Sequence, residues 1–389
     1  MAEEKESAYT HAPPPPTALA RYRNLSKLAG VLVSPICLGA MSIGDKWHKI
    51  GFAYMDKEQS FKLLDAFYTA GGNFIDTANS YQDESSEEFI GEWMESRKIR
   101  DHIVIATKYS LNYKGADKSI LPHARLNYLG NSAKSMRTSV RDSLRKLRTD
   151  YIDILYVHWW GYDTSIPEIM GHLHDLVASG KVLYLGVSDT PAWVVSQANM
   201  WATLHGKTPF SVYQGAWNVM DRSFERDIIP MAREWGMALA PWNVLAGGKL
   251  RTDAEEERRR QTGEKGRDTQ GAGWERTPDE RKMSLALEKV AKEVGTTSIT
   301  AVAIAYLMQK TPYVFPIVGG RKVEHLMDNI KALEIRLTPD QIASIESVVP
   351  FDLGFPHNFV GDGTHPNIFY QITGQVDFAP RAQPIQPSS

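Results

Sequence analysis

Eight short apolar runs recur along this chain, most of them followed by a stretch of helical character, and that rhythm limits the possible folds more than any other feature. The runs are ICLGAM (36–41), NFID (73–76), IVIATK (103–108), IDILYVH (152–158), VLYLGVS (182–188), FSVYQ (210–214), MALAPW (237–242) and VFPIVG (314–319). Most lack polar alternation, as strands covered on both faces of a parallel sheet do. Helical spacing of apolar residues, with helix start and stop residues, predicts helices over 57–72, 132–150, 165–181, 191–205, 221–236, 279–294 and 322–333. The 165–181 segment carries Pro167 early and Gly180 near its end, the polarity that helices favour. Eight strands alternating with helices predict an α/β fold of the (β/α)8 TIM-barrel type rather than an open sheet.

Two segments break the rhythm. After the seventh strand, 247–279 (GGKLRTDAEEERRRQTGEKGRDTQGAGWERTPD) is far longer than an ordinary βα connection, and its AEEERRRQ core predicts a solvated helical turn. After 350, FDLGFPHNFVGDGTHPNIFYQ is aromatic-rich and expected to pack, whereas PRAQPIQPSS is expected to fray. The organisation expected is therefore a flexible proline-rich arm (1–20, with Pro13 to Pro16), a barrel (21–346), and an extension (347–389) lying over the barrel mouth with a disordered end.

Composition narrows the function classes. The chain is 42% hydrophobic and 23% charged with a net charge of −2, so neither nucleic acid nor an anionic membrane is an expected partner. No apolar run approaches the ~20 residues of a membrane span, and the start of the chain lacks the apolar core of a signal peptide. The single cysteine, Cys37, leaves no internal disulfide, and with these features predicts a cytoplasmic protein. GAGWER (271–276) lacks the third glycine and the preceding strand of a dinucleotide fingerprint. His172 and His174, two apart on a helix, face different ways and make no metal site.

In such barrels chemistry sits where strands end. The second run ends on Asp76, with Tyr81 in the loop beyond; the third ends on Lys108 and the fourth on His158. Each alone has a structural reading: a turn cap, a strand leaving the core, a hydrogen-bonded core histidine, a packed ring. Together they suit carbonyl reduction. A free tyrosine, with a pKa of about 10, is a poor acid at neutral pH. A lysine ammonium lowers that pKa, an aspartate fixes the lysine, and a histidine can orient the carbonyl and donate to its oxygen.

At this point the sequence resembles the aldo-keto reductases. Gly72-Asn73-Phe74-Ile75-Asp76-Thr77-Ala78, Tyr81 and Ser86-Glu87-Glu88-Phe89-Ile90-Gly91 are similar to that family's first signature. The resemblance covers roughly 22–335 and implies a (β/α)8 barrel that interconverts aldehydes or ketones with alcohols using NADP(H), with Asp76, Tyr81, Lys108 and His158 as its catalytic residues. LGAMSIGDKW (38–47), YVHWWGYDTS (156–165) and APWNVLAGGKL (240–250) resemble fungal aryl-alcohol dehydrogenases, which are similar to norsolorinic acid reductases.

Carried over residue by residue, the resemblance implies that Ser188, Asp189 and Gln214 hold the nicotinamide carboxamide, beside Asp76. Asp189 stands where the family more often has Asn. Trp242 is the aromatic that stacks on the nicotinamide. Asn243, Val244, Leu245, Ala246, Gly247, Gly248, Lys249 and Leu250 wrap the pyrophosphate, with the amides of Ala246 to Gly248 as donors. Gly320, Arg321, His325, Asp328 and Asn329 meet the adenosine phosphate. Arg321 and Lys322 favour NADP over NAD, because guanidinium suits a 2′-phosphate; Lys249, Arg251 and Arg267 are further candidate cations or plain surface charges.

Trp47, Tyr113, His158 and Trp159 form the expected substrate wall, suited to flat aromatic aldehydes or alcohols. Trp160, next in sequence, is expected to face away. A second class, a nucleotide-loaded binding module of the channel-accessory type, is the alternative. A phosphosugar isomerase leaves Trp242 and the Asp-Tyr-Lys-His set unexplained. Subunit number stays open.

Overall fold

A computed structural model describes residues 11–50, 53–264 and 273–387. The first ten residues of the expected arm, Arg267 and the start of GAGWER lie outside the described residues. The chain opens with an antiparallel hairpin, β1 (Arg23–Ser26) and β2 (Ala29–Val33). The eight predicted runs then form β3 (Cys37–Gly39), β4 (Phe74–Asp76), β5 (Val104–Tyr109), β6 (Ile152–Val157), β7 (Val182–Ser188), β8 (Val212–Ala216), β9 (Ala238–Trp242) and β10 (Ile317–Gly319). All neighbours are parallel in the order β10-β3-β4-β5-β6-β7-β8-β9. The ring closes where Leu239 of β9 meets Val314, just before β10: Leu239 donates to Tyr313 O at 2.9 Å and accepts from Phe315 N at 2.8 Å. This is the eight-stranded barrel expected.

Its interior is filled rather than hollow. Cys37, Phe74, Ala106, Ile154, Tyr156, Val212, Ala240 and Phe315 form an inner cluster, and Leu25, Ala29 and Val33 of the hairpin pack against it. The hairpin therefore stops the end of the barrel where the strands begin, leaving the other end as the mouth. Sequence reading missed this hairpin because its alternation is short and broken by a register shift between Asn24 and Ser26.

The helices form an outer layer: α1 (Lys57–Thr69), α2 (Ser85–Arg97), α3 (Ala133–Lys146), α4 (Ile166–Ala178), α5 (Ala192–Leu204), α6 (Ile228–Trp235), α7 (Asp253–Thr262), α8 (Pro278–Glu293), α9 (Ile299–Lys310), α10 (Val323–Ile330) and α11 (Pro339–Glu346). The seven predicted helices are present. Three more of eight residues or longer, α2, α9 and α11, escaped prediction for different reasons, as did the single turns His357–Val360 and Ile368–Gln371. Helix α9 (ITAVAIAYLMQK) is buried almost all round, so it shows no amphipathic stripe to detect. Helix α11 begins with a capping box, Thr338 with Gln341, which the TPDQ sequence does signal. AEEERRRQ is not a single turn but the body of α7, capped by Thr252.

The extension starts on the flank of α6. Arg226 donates to the carbonyls of Leu353 and Asp352, at 2.8 and 3.2 Å, and Phe351 lies against Arg222 and Arg226. His357 approaches Asp227, and near the end Ile385 to Pro387 border a cavity shared with Pro14, Pro15 and Leu333. Residues 351–357 therefore rest on the connection between β8 and α6. No described helix is long and apolar enough to cross a membrane.

Candidate active site

The four expected residues converge because parallel register brings their strand ends level. Asp76 pairs across β4–β5 with Ala106, and Lys108, two residues on, pairs with Tyr156 of β6. One residue past β6, His158 N donates to Tyr109 O at 3.0 Å. Lys108, buried, donates from Nζ to Asp76 Oδ1 at 2.5 Å and to Thr77 O at 2.7 Å. The second oxygen of Asp76 accepts from Gln214 Nε2 at 2.9 Å, a bond across the mouth that sequence reading did not foresee.

Tyr81 stands between Trp47 and His158. Its ring centroid is 6.2 Å from that of Trp47 and 5.9 Å from that of His158, edge-on to both, with Lys108 Nζ 5.0 Å from its centre. Burial pushes the Tyr81 hydroxyl above the usual tyrosine value, and Lys108 pulls it part of the way back. The lysine thus acts in the expected direction, but burial outweighs it, so the phenol holds its proton across the neutral range. Burial also acts to discharge Lys108, yet Asp76 and Tyr81 outweigh it, so the ammonium keeps its charge.

His158 is pushed down to about 3, chiefly by burial and then by Lys108. It is a neutral imidazole at any ordinary pH, and its Nδ1 is buried without a hydrogen-bond partner in the protein. The Tyr109 and Tyr156 hydroxyls, on β5 and β6, are likewise buried without partners.

Opposite this wall, Trp242 ends β9 with 38% of its surface exposed, and its indole donates to Asp189 Oδ1 at 3.1 Å. Ser188, the last residue of β7, pairs in register with Gln214, which lies two residues before the end of β8 rather than at it. Asn243 follows with a left-handed backbone, φ 58°, and its carbonyl accepts from Asn218 Nδ2 at 3.1 Å. The Ala246–Gly248 turn is left-handed throughout, but the Ala246 and Gly248 amides donate to Asn243 O and Leu245 O. Two of the three amides expected to cradle a pyrophosphate are therefore already paired. Lys249 donates to the carbonyls of Gly273 and Glu275, so it fastens its own loop. Leu250 and Val244 are buried.

Beyond β10, Gly320 O accepts from Ser42 Oγ at 3.0 Å, Arg321 and His325 are exposed, and Asn329 is buried. Arg321 has no ionic partner among the described residues, whereas Lys322 lies 3.7 Å from Glu264. Asp328 accepts from Ser298 Oγ at the start of α9 and from Lys331, so its carboxylate serves the fold.

On the substrate side, Trp47 and Trp159 are partly exposed, while Trp160 is buried as expected. Tyr113 is also buried: its hydroxyl donates to Asp142 Oδ2 at 2.8 Å, with Lys114 and Lys146 near its ring. It thus sits in a polar cluster beside the mouth. Sequence reading also missed Asn131, which donates to Ser110 Oγ and Trp159 O and accepts from Gly161 N, tying the loops after β5 and β6 together. A single buried asparagine in a loop carries no sequence signal of such a role.

With this geometry established, comparison with known proteins is direct. The profile described as "Aldo/keto reductase family" matches residues 35–350. An aryl-alcohol dehydrogenase [NADP(+)] of Phanerodontia chrysosporium is 64% identical over 378 residues, covering 97% of this chain and 98% of that one. A putative aryl-alcohol dehydrogenase of Saccharomyces cerevisiae is 61% identical over 355 residues, covering 90% and 92%. Norsolorinic acid reductase B of Dothistroma septosporum is 51% identical over 379 residues, covering 94% of each chain.

Proposed function

The chain belongs to the aldo/keto reductase family, and from that premise we propose that it interconverts aromatic aldehydes and aryl alcohols with NADP(H), Tyr81 serving as the general acid in reduction. The observation that carries this reading is the meeting of Asp76, Lys108, Tyr81 and His158 at one mouth, with an unpaired imidazole nitrogen among them. The relatives named for aryl-alcohol dehydrogenation with NADP supply the substrate class.

The residues present suit a nicotinamide dinucleotide. A half-exposed indole offers a stacking face, Ser188, Asp189 and Gln214 offer donors and acceptors for a carboxamide, and exposed Arg321 offers a fork for a 2′-phosphate. Asn243 to Leu250 border the same edge and are assigned to the pyrophosphate. Gly320, His325, Asp328 and Asn329 are assigned to the adenosine end, Asp328 through its neighbours rather than a free carboxylate. When bound, the reduced nicotinamide supplies the hydride.

The protein supplies position and proton. As hydride reaches the carbonyl carbon, negative charge grows on the oxygen, and the N–H of a neutral His158 can donate a hydrogen bond to it. Tyr81 gives that oxygen its proton. A raised phenol pKa does not oppose this, because an alkoxide is a far stronger base than a phenolate. Lys108 stabilises the phenolate left behind, and Asp76, itself held by Gln214, keeps Lys108 aimed. Trp47 and Trp159 give an aryl ring flat apolar faces.

The test is oxidation of NADPH followed at 340 nm with a dimethoxybenzaldehyde, benzaldehyde, an aliphatic aldehyde and a ketone, with NADH alongside. Faster turnover of the aromatic aldehydes with NADPH is expected. Tight NADPH binding without turnover on any of them overturns the reading in favour of a nucleotide-loaded binding module.

A further inference from the structure

Immediately after Tyr81 the backbone does something L-residues avoid. Gln82, Asp83 and Glu84 are left-handed in succession, with φ of 53°, 47° and 82°. None is glycine, so each is strained, and such strain persists only where the surroundings over-determine it. Here each side chain is fastened to the surrounding structure.

Gln82, fully buried, donates from Nε2 to Met41 O at 2.9 Å and Ala53 O at 2.8 Å, and accepts from Trp47 N at 3.0 Å. Asp83 Oδ1 accepts from the Trp47 indole at 3.1 Å. Glu84 accepts from Lys114 Nζ at 2.6 Å through one oxygen, and its other oxygen lies 3.1 Å from Lys146 Nζ. Lys146 is the unusual member. It ends α3 with its side chain wholly buried, 2.7 Å from Glu87 Oε2, and donates to Asn79 O at 3.2 Å. Glu87, equally buried, accepts through its other oxygen from Thr107 Oγ1 at 2.6 Å.

The cluster thus grips the chain on both sides of Tyr81, at Asn79 before it and Glu84 after it. Through Glu87 and Thr107 it also reaches β5 next to Lys108. We infer that the Glu84–Lys146 pair is a positioning device that fixes where Tyr81 stands against Lys108, with the strained turn as the element it holds. Neither residue touches the reacting atoms. The charges that face the Tyr81 hydroxyl are those of Lys108, Asp76 and Asp189, so Glu84 acts by placing backbone, not through its field. The inference deepens the proposed function and rests on it for the role of Tyr81.

Two substitutions separate the tie from the strain. Glu84→Gly accepts a left-handed φ without cost but cuts both contacts; Glu84→Gln keeps an acceptor and loses the charge. Because displacement by ~1 Å at a reacting group can cost on the order of 100-fold, single-turnover hydride transfer from NADPH to a dimethoxybenzaldehyde is expected to slow roughly 30-fold in Glu84→Gly and about 5-fold in Glu84→Gln. The Kd for NADPH should stay within about twofold. A second readout needs no substrate: the Cζ resonance of 13C-labelled tyrosine, assigned by its loss in Tyr81→Phe, should move in Glu84→Gly at neutral pH.

A Glu84→Gly enzyme as fast as the wild type, with an unmoved Tyr81 resonance, overturns the inference and leaves the turn as a strained start to α2. Rate and NADPH affinity falling together with thermal stability would also overturn it, showing a general packing role. Failure of the proposed function looks different: the wild type itself would reduce nothing, while the resonance test still decides whether Glu84 places Tyr81.

Discussion

Two groups of ion pairs flank the mouth, and they are built on opposite plans. On the β4–β6 side, Lys108–Asp76 and Lys146–Glu87 are buried pairs whose members stand on strands and helices. On the far side, the long connection after β9 is held by Arg251 and Arg276. Arg251 donates to Gly248 O, Trp274 O and Glu256; Arg276 donates to Arg251 O, Asp253 and Glu256. These cations are as buried as the first set, yet half of what they bind is loop carbonyl. The first group fixes charges around Tyr81, the residue proposed as the acid. The second uses charge to give an otherwise irregular loop a shape.

The contrast predicts that damage on the first side lowers turnover and damage on the second lowers cofactor affinity. The largest effect is expected for Tyr81→Phe: a loss of ~1,000-fold in kcat, within the usual range for a general acid, with NADPH binding unchanged by fluorescence titration. Wild-type turnover in that variant would remove Tyr81 from the chemistry.

Next comes Lys108→Met, expected to lose ~100-fold in kcat and, by leaving Asp76 buried and unpaired, about 3 kcal/mol of stability in urea. Adding Asp76→Asn should recover most of the stability and none of the activity. If activity returned with stability, the pair would be structural. On the other side, Arg276→Ala should weaken NADPH binding by ~10-fold, which is about 1.4 kcal/mol, and leave kcat within about twofold. A kcat loss equal to that of Lys108→Met would erase the distinction between the two groups. Arg321→Ala should reduce the preference for NADPH over NADH by about 5-fold, the modest worth of an exposed charge contact, read from the ratio of kcat/KM values.

The smallest expected effect is an absence. With His158 pushed down to about 3 and Tyr81 above its usual value, neither group changes charge between pH 6 and 9, so kcat/KM for aldehyde reduction should be flat there. Stability carries the complementary sign: His158 is neutral when folded, so the unfolded chain alone takes up that proton as pH falls below about 6.5, and His158→Asn should blunt the acid-induced loss. An acidic limb in kcat/KM near 6.5 would show a solvated imidazole instead.

Much of the first group was legible in the sequence, and little of the second. Asp76, Lys108 and His158 could be read because a parallel barrel fixes where strands end, and each follows an apolar run that announces its strand. Gln214 could be placed at the mouth by the same logic, but not its bond to Asp76, which depends on the diameter of the closed barrel. Lys146 and Glu87 stayed hidden because a charged residue on a helix reads as solvated until its tertiary surroundings are known. Arg251 was read as a candidate cation or a surface charge, and it is instead buried; like Arg276, it lies in a loop whose path the sequence does not reveal. AEEERRRQ was read as a solvated turn although Thr252 and three early acids announce a helix start. Helix α9 was lost to the opposite error, since burial on every side erases periodicity.

The closure of the ring has a thermodynamic consequence. β9 and β10 are joined through the two hydrogen bonds of Leu239, whereas β6 and β7 pair along most of their length. The seam is thus a thinly joined line of the barrel, and its amides should exchange with deuterium before those of β5 to β7. The loop assigned to the pyrophosphate leaves β9, and the residues assigned to the adenosine end follow β10, so a dinucleotide bound across them would straddle that line. Occupancy would then act as a staple: NADP should slow exchange at Leu239 and Phe315 more than anywhere else among the described strands, coupling the integrity of the ring to the cell's supply of the nucleotide.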